Sequence, residues 1–238
     1  KILFDAERIR EELGIRQWFV SGASWGSTLA LLYAIQHPEK VHGILVSSIW
    51  LADAAAKQWE YTENGVARMM PDVWKKRLEF LAELNIDPKN QCRELAEAFK
   101  IADDTTQKKI AAGVRNWEGN LFSAQQEVSY KEPEEMTEAE VASAKIFTHY
   151  EANNEFIPDG YIVDNMQKIA DIPAVIVHGR NDILCPLQNA SQVAEKMNAC
   201  TFIIATSSGH ALTQEGYTIK NMAFDRFLAE NTPPQTSV

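Results

Sequence analysis

Trp18-Phe-Val-Ser-Gly-Ala-Ser-Trp-Gly-Ser27 is the stretch that decides the fold. A short apolar run enters Gly22-Ala-Ser-Trp-Gly26, and a small, apolar helical pattern follows at once. This is G-x-S-x-G between a strand and a helix. So tight a turn requires minimal side chains two positions either side of the serine, which Gly22 and Gly26 supply. It lifts the Ser24 hydroxyl clear of a sheet and leaves it at the N-terminus of the next helix. Backbone N–H groups and the positive end of the helix dipole are then close to any oxyanion that develops. Ser24 is the candidate nucleophile, and the backbone N–H of Trp25 a candidate oxyanion donor.

Working outward, residues 6–13 have helical spacing with Ile9 and Leu13 on one face, stopped by Gly14. Residues 17–21 read as the strand into the turn, 27–36 as a buried helix ended before His37-Pro38, and 43–48 as a second apolar strand. These are βαβ units, which imply a parallel sheet with helices on its faces. From about residue 51 to 164 the chain turns charged, tryptophan-bearing and helical. Amphipathic helices are expected at 72–84, 92–101, 105–112 and 137–152, the last capped by Thr137. The α/β pattern resumes with a strand at 173–177, a helix at 187–197, a strand at 200–205 and a helix at 216–228. The polar tail 231–238 is expected to fray. The expected domains are a core in two parts, 1–50 and 166–238, with a helical cap at 51–165.

The bulk numbers bound the function. A chain of 238 residues suits one globular domain with an inserted lobe. A net charge of −10 argues against nucleic acid and against anionic membranes as partners, because both need basic surface. Cys92, Cys185 and Cys200 fit no metal-ligand spacing and read as free thiols in a reducing, cytoplasmic compartment. No apolar run is long enough to span a bilayer, and charges interrupt the first residues where a secretory signal needs an apolar core.

A serine hydroxyl is a poor nucleophile until a base takes its proton, and the base needs a third group to hold its tautomer. In an elbow-type site these follow in the order Ser, acid, His, each just after a strand. His178-Gly-Arg-Asn-Asp182 places Asp182 after one strand, and Thr206-Ser-Ser-Gly-His210 places His210 after the next. The interval between them leaves room for one helix and one strand. His178 reads as structural, and His37, His42 and His149 as solvated or packed.

At this point the chain resembles a family. Gly22-Ala-Ser-Trp-Gly-Ser-Thr-Leu-Ala-Leu31, His37-Pro-Glu39, Trp117-Glu-Gly119, Ile172-Pro-Ala-Val-Ile-Val-His-Gly-Arg180 and Gly209-His210 look like the prolyl iminopeptidases. These are α/β-hydrolase serine peptidases that remove an N-terminal proline. The resemblance implies an α/β-hydrolase fold with an all-helical cap, and Ser24, Asp182 and His210 as nucleophile, acid and base. It also implies cap carboxylates that hold the substrate's amino terminus, with Glu118 of the Trp-Glu pair among them. No metal or cofactor is implied. Cys185 sits where relatives often carry a cysteine, which suggests sensitivity to thiol reagents.

Several family positions differ. An Ile-Glu-Asn-His-Tyr pattern reads Ile146-Phe-Thr-His-Tyr150 here, so Phe147 stands where a second carboxylate is expected. Arg-Gly-Ile-Phe reads Ser47-Ser-Ile-Trp50, and a tyrosine near the cap's start is Glu60. Losing one of two anionic partners weakens the capture of an ammonium group. Glu60, Glu151 and Glu155 are the candidates to replace it. Trp50, Glu60, Glu118, Phe147 and Tyr150 are the candidate substrate-binding residues. The family also begins with strands and a His-Gly-Gly-Pro-Gly oxyanion loop upstream of the elbow, and Lys1 aligns after them. A four-stranded sheet with a bare edge at the elbow strand is therefore expected, from a fragment or a chain completed by a missing N-terminal segment or second chain. One of two oxyanion donors would then be lacking, at a cost of about a hundredfold in turnover.

The expected activity is release of an N-terminal residue, proline first, from a peptide with a free N-terminus. An esterase or amidase on the same scaffold is the alternative, and a catalytically impaired fragment the third.

Overall fold

Two strands carry almost uninterrupted apolar runs, Gly-Ile-Leu-Val from residue 43 and Ala-Val-Ile-Val from residue 174, as strands covered on both faces must. They form the centre of a sheet. The computed structural model of the chain describes residues 2–124 and 126–232. Its strands are β1 (Trp18–Ser24), β2 (Val41–Ile49), β3 (Ala174–Gly179) and β4 (Cys200–Ala205), all parallel, in the order β1-β2-β3-β4. The helices are α1 (Ile2–Glu12), α2 (Trp25–Gln36), α3 (Ala54–Tyr61), α4 (Pro71–Glu83), α5 (Gln91–Ile101), α6 (Asp104–Phe122), α7 (Glu138–Ala152), α8 (Tyr161–Asn165), α9 (Leu187–Ala194) and α10 (Gln214–Asn231). The chain divides into two units: Ala52–Asp159, whose regular elements are all helical, and the described residues of Lys1–Leu51 with Gly160–Val238, which hold the sheet.

Within the sheet unit, Phe227 and Phe224 of α10 pack against Phe19, Leu45, Val175, Val177 and Ile203 on one face. Ile44, Val46 and Ile176 alternate with these and are equally buried on the other. The outer strands β1 and β4 are half-exposed, and β1 has no second strand beside it among the described residues.

Within the helical unit, Leu81, Leu95, Phe99, Ile110, Val114 and their neighbours form the core. The helix expected at 105–112 continues to Phe122 through Gly113 and Gly119. A Cβ on Gly113 would lie 2.2 Å from the Phe80 ring. That glycine is a packing notch for α4, not a helix stop. Two helices escape the sequence reading, α3 and α8. α3 does carry a start signal: Asp53 caps it, its carboxylate accepting the Ala56 N–H at 2.8 Å.

Ile9 and Leu13 are both exposed, and α1 buries Arg10, paired through two nitrogens with Glu7 at 2.9 Å. One further expectation is corrected. α9 stops at Ala194, short of residue 197. The part of the tail beyond residue 232 lies outside the described residues.

The elbow itself separates its two glycines. A Cβ on Gly22 would lie 2.0 Å from the Gly26 carbonyl oxygen, whereas one on Gly26 would meet nothing within 4 Å. The expected requirement for two minimal side chains is thus real on the strand side only. Gly22→Ala should lower the melting temperature by several degrees, since overpacking costs about 1–3 kcal/mol and each kcal/mol is worth about 2–4 °C at this size. Gly26→Ala should leave it unchanged or slightly raised. Equal losses in both variants, read by calorimetry, would contradict this asymmetry.

Candidate active site

β1 ends at Ser24 and α2 begins at Trp25, with no residue between them. The reversal is taken up by Ser24 itself, at φ 55° and ψ −127°. Residues with a Cβ rarely adopt such a backbone, which costs about 1–3 kcal/mol and persists only when its surroundings enforce it. A serine at a helix N-cap ordinarily turns its oxygen to the first-turn N–H groups. Ser24 makes no such bond. Its Oγ instead lies 3.0 Å from His210 Nε2.

Buried hydroxyls hold the turn in place. Ser27 Oγ donates to the Ser24 carbonyl at 2.6 Å and accepts the Trp50 N–H at 3.1 Å. Thr28 Oγ1 donates to the Trp50 carbonyl at 2.6 Å. The first turn of α2 is thereby tied to the chain leaving β2, and the Trp25 and Trp50 rings meet at 5.8 Å.

The loops after β3 and β4 are laced together. The Arg180 N–H donates to the Ala205 carbonyl at 3.0 Å and the Asn181 N–H to the Ser208 carbonyl at 2.9 Å. Gly179 allows the approach, since a Cβ there would lie 2.3 Å from the Gly209 oxygen. This brings His210 Nδ1 to 3.1 and 3.0 Å from the two Asp182 oxygens. Both residues are buried, at 4% exposure for Asp182 and 6% for His210. A carboxylate only accepts, so Nδ1 carries the proton and Nε2 is left to accept from Ser24. Ser24, His210 and Asp182 therefore form one directed chain of hydrogen bonds, capable of drawing a proton from the hydroxyl and stabilising the imidazolium that results.

Asp182, His210 and Cys185 are also the group among the described residues whose ligand atoms are close enough to hold a metal ion. Two of these three residues are already engaged with each other. Cys185 is buried at 1% exposure, so the reagent sensitivity expected there requires a local opening.

The helical unit gathers carboxylates. Glu60, Glu151 and Glu155 are each 4% exposed. Burial first, then the charges of Glu151 and Glu118, push the Glu60 carboxyl well above its ordinary range. Burial raises Glu118 to about 7, against Arg115 at 3.7 Å. Burial and Glu151 raise Glu155 to about 8, opposed by Lys57. Burial raises Glu151 too, opposed chiefly by Lys57. Lys57 Nζ stands 3.6 Å from Glu151 and 3.3 Å from Glu155, one cation for two carboxylates. Glu155 is held within three successive left-handed residues, Asn154, Glu155 and Phe156. Glu60 and Lys57 share α3.

Of the residues expected from sequence, Ser24, Trp25, Trp50, Asp182 and His210 lie in the sheet unit. Glu60, Glu118, Phe147 and Tyr150 lie in the helical unit. Phe147 packs against the helical core, and Tyr150 meets the Phe156 ring edge-on at 5.5 Å. Lys57, Tyr61 and Arg77 share the carboxylates' surroundings without being expected there; the capped start of α3 is the one signal for Lys57 and Tyr61, and Arg77, on α4, has none.

The family model for the alpha/beta hydrolase fold matches residues 3–216. Among solved structures, an alpha/beta fold family hydrolase from Bacillus anthracis superposes with a TM-score of 0.57 at 20% identity, over 96% of this chain and 72% of that one. The chain is 34% identical to a proline iminopeptidase of Xylella fastidiosa over 215 residues, 88% of this chain and 66% of the relative. It is 36% identical to one of Neisseria meningitidis over 79% of this chain and 59% of the relative. It is 30% identical to a probable proline iminopeptidase of Leptolyngbya boryana over 97% of this chain and 72% of the relative. The chain belongs to the proline iminopeptidase family of α/β-hydrolases. It spans about two thirds or less of the length of the Xylella and Neisseria proteins.

The carboxyl cluster sets a pH dependence. Unfolded, these groups ionise near 4.5; folded, Glu155 does so near 8 and Glu118 near 7. A folded value raised above the unfolded one gives an acid a stability contribution that is full below the unfolded value and lost as pH rises through the folded one. The protein should therefore melt earlier at pH 8.5 than at pH 5.5, and Glu155→Gln should shrink that difference. An unchanged difference in the variant's thermal scans would contradict the assignment.

Proposed function

We propose that this chain is the catalytic part of a cytoplasmic serine exopeptidase that releases an N-terminal residue, proline first, from a peptide with a free amino terminus. The observation that carries the reading is the 3.0 Å contact from Ser24 Oγ to His210 Nε2, continued to Asp182. The names of the family relatives support the substrate, and the absence of any helix among the described residues long and apolar enough to cross a membrane is compatible with the compartment.

In this reading Ser24 Oγ attacks the carbonyl carbon of the first peptide bond as its proton passes to His210 Nε2. Asp182 stabilises the imidazolium, and the Trp25 N–H takes up the oxyanion. Collapse of the tetrahedral intermediate transfers that proton to the leaving amine and leaves the first residue as an ester on Ser24. Water, deprotonated by the same imidazole, then frees the acid and restores the hydroxyl. The substrate's ammonium group calls for anionic partners. The helical unit's carboxylates match it in charge, with Glu118 the residue kept from the family pattern and Glu60 and Glu151 as the further candidates. Trp50 is the sheet unit's aromatic candidate for the ring of proline, and Tyr150 the helical unit's. The packing of Phe147 into the helical core favours no ammonium contact at that position.

A prolyl chromogenic amide and a short-chain ester test this. The amide should be cleaved, and Ser24→Ala should lower kcat on the order of 10⁴–10⁶-fold. Glu118→Gln should raise KM for the amide about tenfold, the worth of a hydrogen bond to a charged group, while leaving ester cleavage unchanged. Ester cleavage with the amide untouched would replace the peptidase reading with the esterase one.

A further inference from the structure

A second imidazole reaches Asp182. The ladder between β2 and β3 closes at the pair Ser47 and Val177. His178 follows, with none of its surface exposed. Where main-chain pairing stops, its ring takes over: the Ile49 N–H donates to His178 Nδ1 at 3.1 Å. On the other side, His178 Nε2 lies 2.7 Å from the Cys185 carbonyl oxygen and 3.4 Å from Asp182 Oδ2. The Cys185 N–H in turn donates to Asp182 Oδ1 at 2.8 Å.

These contacts dictate a tautomer. Nδ1 faces an N–H and must accept, so the proton sits on Nε2 and is given to the Cys185 carbonyl. The ionisable side chains that bear on the ring are Asp182 and His210, and burial holds the imidazole below its ordinary range in spite of Asp182. A neutral ring leaves the negative charge of Asp182 to His210. A cation at His178 would divide it.

We propose that His178 is a positioning residue for Asp182: a neutral imidazole, protonated on Nε2, that staples the acid loop to the end of β2 and so aligns the carboxylate with His210. The inference rests on the triad reading above for its effect on turnover, but not for the alignment itself. His178 joins Ile49 to Cys185, and Cys185 is bonded to Asp182, so the loop's geometry passes through this ring.

His178→Leu and His178→Gln test it together. Leucine fills the space without hydrogen bonds, whereas a glutamine amide can accept from Ile49 and donate to Cys185. The first readout is the downfield proton resonance of His210 Nδ1–H, which reports the bond to Asp182 whether or not any substrate is turned over. It should be lost in the leucine variant and kept in the glutamine one. The second is turnover: His178→Leu should lower kcat about a hundredfold, the cost of a displacement near 1 Å, with KM within about twofold, and glutamine should recover most of it. A leucine variant that keeps both resonance and kcat overturns the proposal. So does a folded glutamine variant that has lost the resonance, and this second variant decides the matter if the first does not fold. A parent protein that shows the resonance but turns nothing over defeats the triad reading while leaving His178 to be judged on the resonance.

Discussion

The backbone of Ser24 is the constraint on which the site depends. Its φ of 55° is imposed from three sides. Gly22 packs against the Gly26 carbonyl with no room for a methyl group, Ser27 holds the Ser24 carbonyl, and the same Ser27 oxygen anchors the Trp50 N–H. Relaxing that angle would rotate the hydroxyl away from His210 and toward the N-cap position a serine otherwise prefers. The strain is thus tied to a definite geometric result, a hydroxyl presented to an imidazole in place of its own helix.

The remaining two residues of the chain of hydrogen bonds are held by main chain more than by side chains. The loops that follow β3 and β4 exchange backbone hydrogen bonds before either functional side chain is reached. Asp182 is then fixed through Cys185 and His178. In this construction each of the three hydrogen-bonded residues is held by the end of its strand and one neighbouring loop. The helical unit stores a different kind of tension. Its carboxylates are buried with too few cations, Lys57 standing between two of them. That state is costly when they are ionised and is relieved by protons or by a positively charged group.

The fold and the hydrogen-bonded triad were readable because they depend on local patterns. Glycine spacing around Ser24 marks the elbow, apolar runs mark β2 and β3, and the order of Asp182 and His210 after successive strands marks their meeting. What was not readable depends on contacts distant in sequence. The helix expected at 105–112 runs on through Gly113, where the absent Cβ makes room for the Phe80 ring. Arg10 gives no sign in the sequence that it is the buried residue of α1, and it is buried because Glu7 neutralises it. Glu60, Glu151 and Glu155 can be named from the family pattern, but the place of Lys57 between the last two, which joins α3 to α7 and the turn after it, is anticipated by no spacing rule. His178 reads as structural from its place at the close of a strand; its link to Asp182 appears only where β2 ends beside it.

The most direct test of the account is the site of acylation by a fluorophosphonate, mapped by mass spectrometry on the digested protein. A hydroxyl strained toward His210 and primed by Asp182 should take up one label, on the peptide that carries Ser24, and His210→Ala should abolish it. An unlabelled protein, or a label on another serine such as Ser207 or Ser208 with Ser24 untouched, would contradict the claim that the elbow presents the nucleophile.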